Sequence, residues 1–231
     1  MISHQHRCIF VHIPKTAGTS IETYFLNDLN MCKNDKSALF LGKNKDYILP
    51  NRSLAHLTGA EMLSHDFITK ELFKDYFKFS IVRNPVSRLF SFYKYLGYES
   101  VITFDVFIRY ELEKLIQGKK YGFFFKTQTD FLFDSKANTN LMDFTGRFEN
   151  LETDFKKILD TLNLPDARLK HENKGELSWN LLRGFKKIMM NPMILPTVRI
   201  SKNKSMELTK KSRALVLNIY KQDFDNFGYS F

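Results

Sequence analysis

Twice along the chain a short run of apolar residues ends in a turn that leads straight into a helical pattern, and this repetition constrains the fold more than any other feature. In the first instance Cys8 to Ile13 (CIFVHI) reads as a buried strand and Pro14 to Gly18 as a turn. Thr19 to Leu29 then reads as a helix with Ile21, Tyr24, Phe25 and Leu29 along one side. In the second, Phe77 to Val82 (FKFSIV) precedes Pro85, whose fixed φ suits a first helical turn, and Leu89, Phe92, Tyr93 and Leu96 follow at helical spacing. Strands alternating with helices predict an α/β fold on a central, largely parallel sheet flanked by helices, with ligands at the carboxyl ends of the strands.

The remaining signals are helical. Thr58 and Glu61 form a capping box ahead of a short helix, and Glu71 to Tyr76 reads as another. Leu151 to Leu162 is an amphipathic helix stopped by Pro165, and Met206 to Phe227 is expected to be helical through Leu208, Leu215, Ile219, Tyr220 and Phe224. No repeat, low-complexity tract or Gly/Ser linker interrupts the chain, so residues 1–231 are expected to form a single domain.

With 35 Lys plus Arg against 25 Asp plus Glu, the net charge of +10 favours anionic partners without choosing among nucleotides, acidic glycans and nucleic acid. No run approaches the roughly 18 to 20 apolar residues of a membrane span. Met1 to Arg7 is polar and has no apolar signal core. Two cysteines make no disulfide framework. A full-length chain of this kind is expected to be cytoplasmic.

Pro14-Lys15-Thr16-Ala17-Gly18-Thr19-Ser20 links a predicted strand to a predicted helix, where unpaired N–H groups and the positive end of the helix dipole make an anion cradle. Gly18 lets backbone approach a ligand, Thr16, Thr19 and Ser20 add hydroxyls, and Lys15 adds a mobile charge. It is not a Walker A loop, because the lysine precedes the only glycine.

His12 to Ser20 resembles the 5′-phosphosulfate-binding loop of sulfotransferases that use 3′-phosphoadenosine 5′-phosphosulfate (PAPS), especially the carbohydrate sulfotransferase branch. The resemblance implies a P-loop-like sulfotransferase fold, PAPS as donor cosubstrate, no metal, and an acceptor hydroxyl, expected on a carbohydrate. It further implies that Lys15, Thr16, Ala17, Gly18, Thr19 and Ser20 hold the phosphosulfate, with Lys15 assisting the leaving group.

The second turn, Arg83 to Tyr93, also follows a strand and opens a helix. Ser87 and Ser91, four apart, share a helix face and with Arg83 would enclose a second phosphate. The family's 3′-phosphate motif is an arginine followed eight positions later by a serine, which selects Arg83 and Ser91. Weaker resemblance runs through Gly146 to Leu151, where Arg147 is a further candidate or a structural pair for Glu149 or Glu152. It continues at Asn203-Lys204-Ser205 and the closing Tyr220 to Phe231, but is slight across the basic, Met-rich Glu176 to Arg199, which reads as an acceptor-specific insertion.

Sulfuryl transfer needs a group to take the acceptor's proton. His56 is the leading candidate, two residues before the Thr58 cap, where a helix end disfavours imidazolium; some members of the family use a histidine between the two phosphate motifs. Glu22 is the rival base and His65 a third. No His or Cys spacing suits zinc. Two other readings stay open: a P-loop-type kinase needing magnesium and a nucleoside triphosphate, and a non-catalytic polyanion-binding module. Against the second, most phenylalanines fall at buried-type positions, Phe123 to Phe125 included.

Overall fold

The two apolar runs become neighbouring parallel strands. In the computed structural model, which describes residues 1–32, 35, 39–42, 54–118, 122–134, 136–169 and 205–231, the strands are β1 (Ile2–Ser3), β2 (Cys8–Phe10), β3 (Phe77–Val82), β4 (Phe133–Asp134), β5 (Thr139–Asn140) and β6 (Phe144–Arg147). The helices used below are α1 (Gly18–Asp28), α2 (Gly59–Ser64), α3 (Lys70–Asp75), α4 (Pro85–Tyr95), α5 (Phe104–Tyr110), α6 (Leu112–Gln117), α7 (Gln128–Leu132) and α8 (Leu151–Thr161). The chain divides into two compact units, Met1–Arg83 with Lys126–Glu172, and Asn84–Phe125 with Asn173–Phe231.

The first unit holds a sheet of order β1-β2-β3-β6. Strands β2, β3 and β6 run parallel, from Cys8 opposite Phe77 to Val82 opposite Arg147, and β1 lies antiparallel on the edge. Both faces of β3 are buried beyond its first residue, as expected for parallel strands covered by helices. One face carries Cys8, Phe10, Phe79 and Ile81, packed in a single cluster with Ile21 and Phe25 of α1 and with Phe155, Ile158 and Leu159 of α8. Burying each such phenylalanine contributes about 1.5–3 kcal/mol. On the other face the Ser80 hydroxyl donates to the Val11 carbonyl at 2.7 Å, and the Val11 N–H donates to the Phe79 carbonyl at 3.0 Å. The regular strand ends at Phe10, three residues earlier than the apolar run suggests, because His12 and Ile13 turn away into the loop.

Local chemistry sets the helix boundaries. Thr58 and Glu61 form the expected reciprocal box at the start of α2, and Thr69 caps α3 through the Leu72 N–H. The second unit gathers Leu89, Phe92 and Tyr93 of α4, Phe104 and Phe107 of α5, Phe125, and Val216, Tyr220 and Phe224 into its own core. Phe124 packs against that core, so the Phe123 to Phe125 run includes buried residues.

The expected single helix over Met206 to Phe227 is corrected. Helices span Lys210–Ile219 and Lys221–Phe227. The first starts late because Thr209 caps it through the Ser212 N–H, while Asp105 of α5 accepts both the Thr209 N–H and hydroxyl at 2.8 Å. The second begins anew because Tyr220 leaves helical geometry and donates its hydroxyl to the Phe125 carbonyl at 2.9 Å. Among the described residues no helix is long and apolar enough to cross a membrane. Glu176 to Arg199, Asn203 and Lys204 lie outside the described residues.

Candidate active site

At the carboxyl end of β2 the chain passes His12 and turns through Pro14 to Ala17 into α1. Lys15 (φ 73°) and Ala17 (φ 70°) are both left-handed, a conformation costing a non-glycine residue about 1–2 kcal/mol. Such strain clusters where backbone N–H groups form an anion-binding concavity. Ala17, the N-cap of α1, contributes no side-chain cap, and the first turn of α1 holds no acidic residue. The helix entrance thus keeps its positive character for an anion. Lys15 and Ser20 are half-buried, and Thr19 is exposed. Thr16 is fully buried and donates its hydroxyl to the Ile13 carbonyl at 2.8 Å, so its proton braces the loop.

Gly18 is needed for a reason that its position in the motif does not reveal. It is absent from the positive-φ residues, but a Cβ there would lie 2.0 Å from Cδ2 and Nε2 of His12. The close approach that glycine permits is that of an imidazole. His12 is 5% exposed, stacks on Phe10 with ring centroids 5.6 Å apart, and shares a 2.6 Å hydrogen bond between Nδ1 and Glu22 Oε1. Burial pushes the Glu22 carboxyl up, but the charge and hydrogen bond of His12, aided by the amino terminus and His56, outweigh it and hold the group below its ordinary range. Glu22, the rival base, is therefore an anion committed to His12.

His56 ends the 3₁₀ turn Leu54–His56 and packs against His12 at a ring separation of 4.3 Å. Its Nδ1 lies 3.2 Å from the His12 carbonyl oxygen. Because that oxygen only accepts, Nδ1 carries the proton and Nε2 keeps its lone pair. Burial first, and the neighbouring His12 second, pull the His56 pKa down to about 3. The ring is neutral, as expected, but for a different reason from the helix end invoked above. His65 is the exposed C-cap of α2.

Arg83 follows the last residue of β3. Its Nη1 donates to the Lys15 carbonyl at 3.3 Å, and its guanidinium carbon lies 4.0 Å above the centroid of the Phe148 ring. Two turns separated by 68 residues are thus in direct contact. Arg147 ends β6, and its backbone N–H donates to Asp154 Oδ2 at 2.8 Å. Burial raises the Asp154 pKa, but Lys157, the Arg147 N–H and the charges of both outweigh it and leave the carboxyl below its usual range. Ser87 and Ser91 lie on α4 of the second unit, one turn apart and half-buried. Among the described residues no group of three His, Cys, Asp or Glu side chains is arranged to hold a metal ion.

Sequence reasoning did not single out His12 or Gln128. His12 carried a signal in hindsight: the last residues of a strand and the second turn of the following helix are brought together by the intervening turn, which pairs it with Glu22. Gln128 carried none, because its partner is 45 residues away.

No curated protein and no solved structure gives a significant match to the chain. The sequence model described as the Sulfotransferase family matches residues 1–230, essentially the whole chain. The loop at the end of β2, with a lysine and an arginine-bearing strand end in contact beside a helix entrance that lacks any acidic or capping side chain, suits the anionic sulfate donor that such a family requires. The chain belongs to the sulfotransferase family, transferases that move a sulfuryl group from a donor to an acceptor hydroxyl.

Proposed function

We propose that the donor is PAPS, that the acceptor is a carbohydrate hydroxyl, and that the first unit has the P-loop-like arrangement of PAPS-dependent enzymes. The observation that carries this reading is the contact of Arg83 with Lys15, which joins the two sequence motifs assigned to the two phosphate groups of such a donor. Lys15, Thr19, Ser20 and the backbone of Thr16 to Gly18 surround the 5′-phosphosulfate. Arg83 takes the 3′-phosphate.

PAPS supplies a sulfuryl group on a phosphate leaving group. The acceptor oxygen forms a bond to sulfur as the bond from sulfur to the phosphate oxygen breaks, and Lys15 with the helix entrance stabilises the charge developing on that oxygen. The acceptor proton passes to Nε2 of His56. A ring with so low a pKa is a weak base, so it accepts the proton only as bonding to sulfur makes the hydroxyl acidic. Glu22 holds His12, whose carbonyl orients His56.

The test is transfer of radiolabelled sulfate from PAPS to a panel of oligosaccharides without divalent metal. Lys15→Ala and His56→Ala are expected to keep the fold and lose transfer, His56→Ala by about 10² to 10⁴ in rate. Near-normal transfer by His56→Ala with collapse in Glu22→Gln would move the base to α1. Stabilisation only by ATP with magnesium would favour the kinase reading.

A further inference from the structure

Arg83 is held from behind by a side chain outside both phosphate motifs. Gln128, the first residue of α7, is fully buried. Its Oε1 accepts the Arg83 N–H at 2.8 Å, and its Nε2 donates to the Arg83 carbonyl at 2.8 Å. This amide binds both backbone groups of one residue as a neighbouring strand would, one position beyond the last pair of the β3–β6 ladder, Val82 opposite Arg147. Helix α7 is fixed in turn by the reciprocal capping box of Thr127 and Asp130 and by the buried Phe131 and Leu132. The backbone of Arg83 is therefore clamped on one side while its guanidinium is oriented by Lys15 and Phe148 on the other.

We propose that Gln128 is a positioning residue for nucleotide recognition, fixing the backbone of Arg83 so that its guanidinium is preorganised for the 3′-phosphate. The proposal rests on the reading of Arg83 as the 3′-phosphate ligand. With the N–H and C=O of Arg83 both held by one buried amide, rotating either peptide strands a polar atom of Gln128 in the interior, which favours a single backbone orientation at Arg83. Preorganisation of this kind appears in affinity for the group that Arg83 contacts, rather than in affinity for the whole ligand.

The experiment is calorimetric titration of adenosine 3′,5′-bisphosphate and of AMP into wild type, Gln128→Met, Arg83→Ala and the double variant, with the melting temperature of each. Gln128→Met is near-isosteric and removes both hydrogen bonds. It is expected to weaken bisphosphate binding by about tenfold while changing AMP binding less than about twofold. In the Arg83→Ala background it should weaken bisphosphate binding no further, whereas a purely structural role would affect both nucleotides alike, whatever the change in melting temperature. If Arg83→Ala loses the preference for the bisphosphate and a folded Gln128→Met keeps it, the positioning role is overturned and the nucleotide reading stands. If Arg83→Ala itself keeps the preference, that reading falls and the inference with it. Should Gln128→Met fail to fold, Gln128→Asn replaces it, since it keeps a neutral amide but is one methylene too short to reach both backbone groups of Arg83.

Discussion

Gly18 and His12 occupy space that only one of them can fill: the Cβ missing from Gly18 would stand 2.0 Å from the His12 imidazole. The ring cannot simply swing aside, because Glu22, Phe10 and His56 hold it on three sides. Gly18→Ala is therefore expected to cost about 1–3 kcal/mol of stability, the usual range for overpacking. In a His12→Ala background, where the clash is gone, the same substitution should cost much less. Thermal or urea melts of the four proteins check this, and equal costs in both backgrounds would contradict the packing.

Thr16→Val tests whether the buried hydroxyl is scaffold. It removes the hydrogen bond to the Ile13 carbonyl and should lower stability by about 1–3 kcal/mol, because a buried acceptor loses its donor. Nucleotide affinity measured on the folded variant should change little.

The Glu22 carboxyl, held below its ordinary value of 4.5, contributes stability that is fully present above that pH and is lost as pH falls through the depressed folded value. Glu22→Gln keeps the shape and removes the charge. The stability difference between wild type and variant should shrink as pH falls below about 4.5, as read by denaturant titration across pH. A difference that grows on acidification would place the carboxyl above its ordinary range.

His56 acts in the same direction over a different range of pH. Its folded pKa of about 3 lies below the ordinary 6.5, so between those values the unfolded chain takes up a proton that the folded chain refuses, and stability falls as pH falls. His56→Asn should make that decline shallower. Long-range proton–nitrogen NMR should show His56 neutral and protonated on Nδ1 at pH 6; titration near 6.5 would contradict the burial, and a proton on Nε2 instead would contradict the tautomer.

The parts legible in the sequence were those written in contiguous runs. Cys8 to Phe10 and Phe77 to Val82 are buried on both faces and so stand out as apolar blocks, and the Thr58 box is complete within four residues. Strand β6 (FTGR) was not recognisable, because only Gly146 in it is buried and its apolar content is low. Helices α5, α6 and α7 are seven residues or shorter, too brief for a period to register. Within the site, the motif residues were visible as a pattern. What holds them was less so: His12 meets Glu22 only through the turn between them, while His56 on the His12 carbonyl and Gln128 on Arg83 are long-range pairings that no local spacing encodes.

The central claim is that the turn at Lys15 and the strand end at Arg83 together read a nucleotide bearing phosphates at both its 3′ and 5′ positions. Isothermal calorimetry of adenosine 3′,5′-bisphosphate against AMP, without divalent metal, tests it most directly. Wild type should bind the bisphosphate much more tightly than AMP. Arg83→Ala should erase most of that preference, since a charge-assisted phosphate contact is worth about 1.5–3 kcal/mol. Equal affinity of wild type for the two nucleotides, or binding that requires magnesium, would contradict the account.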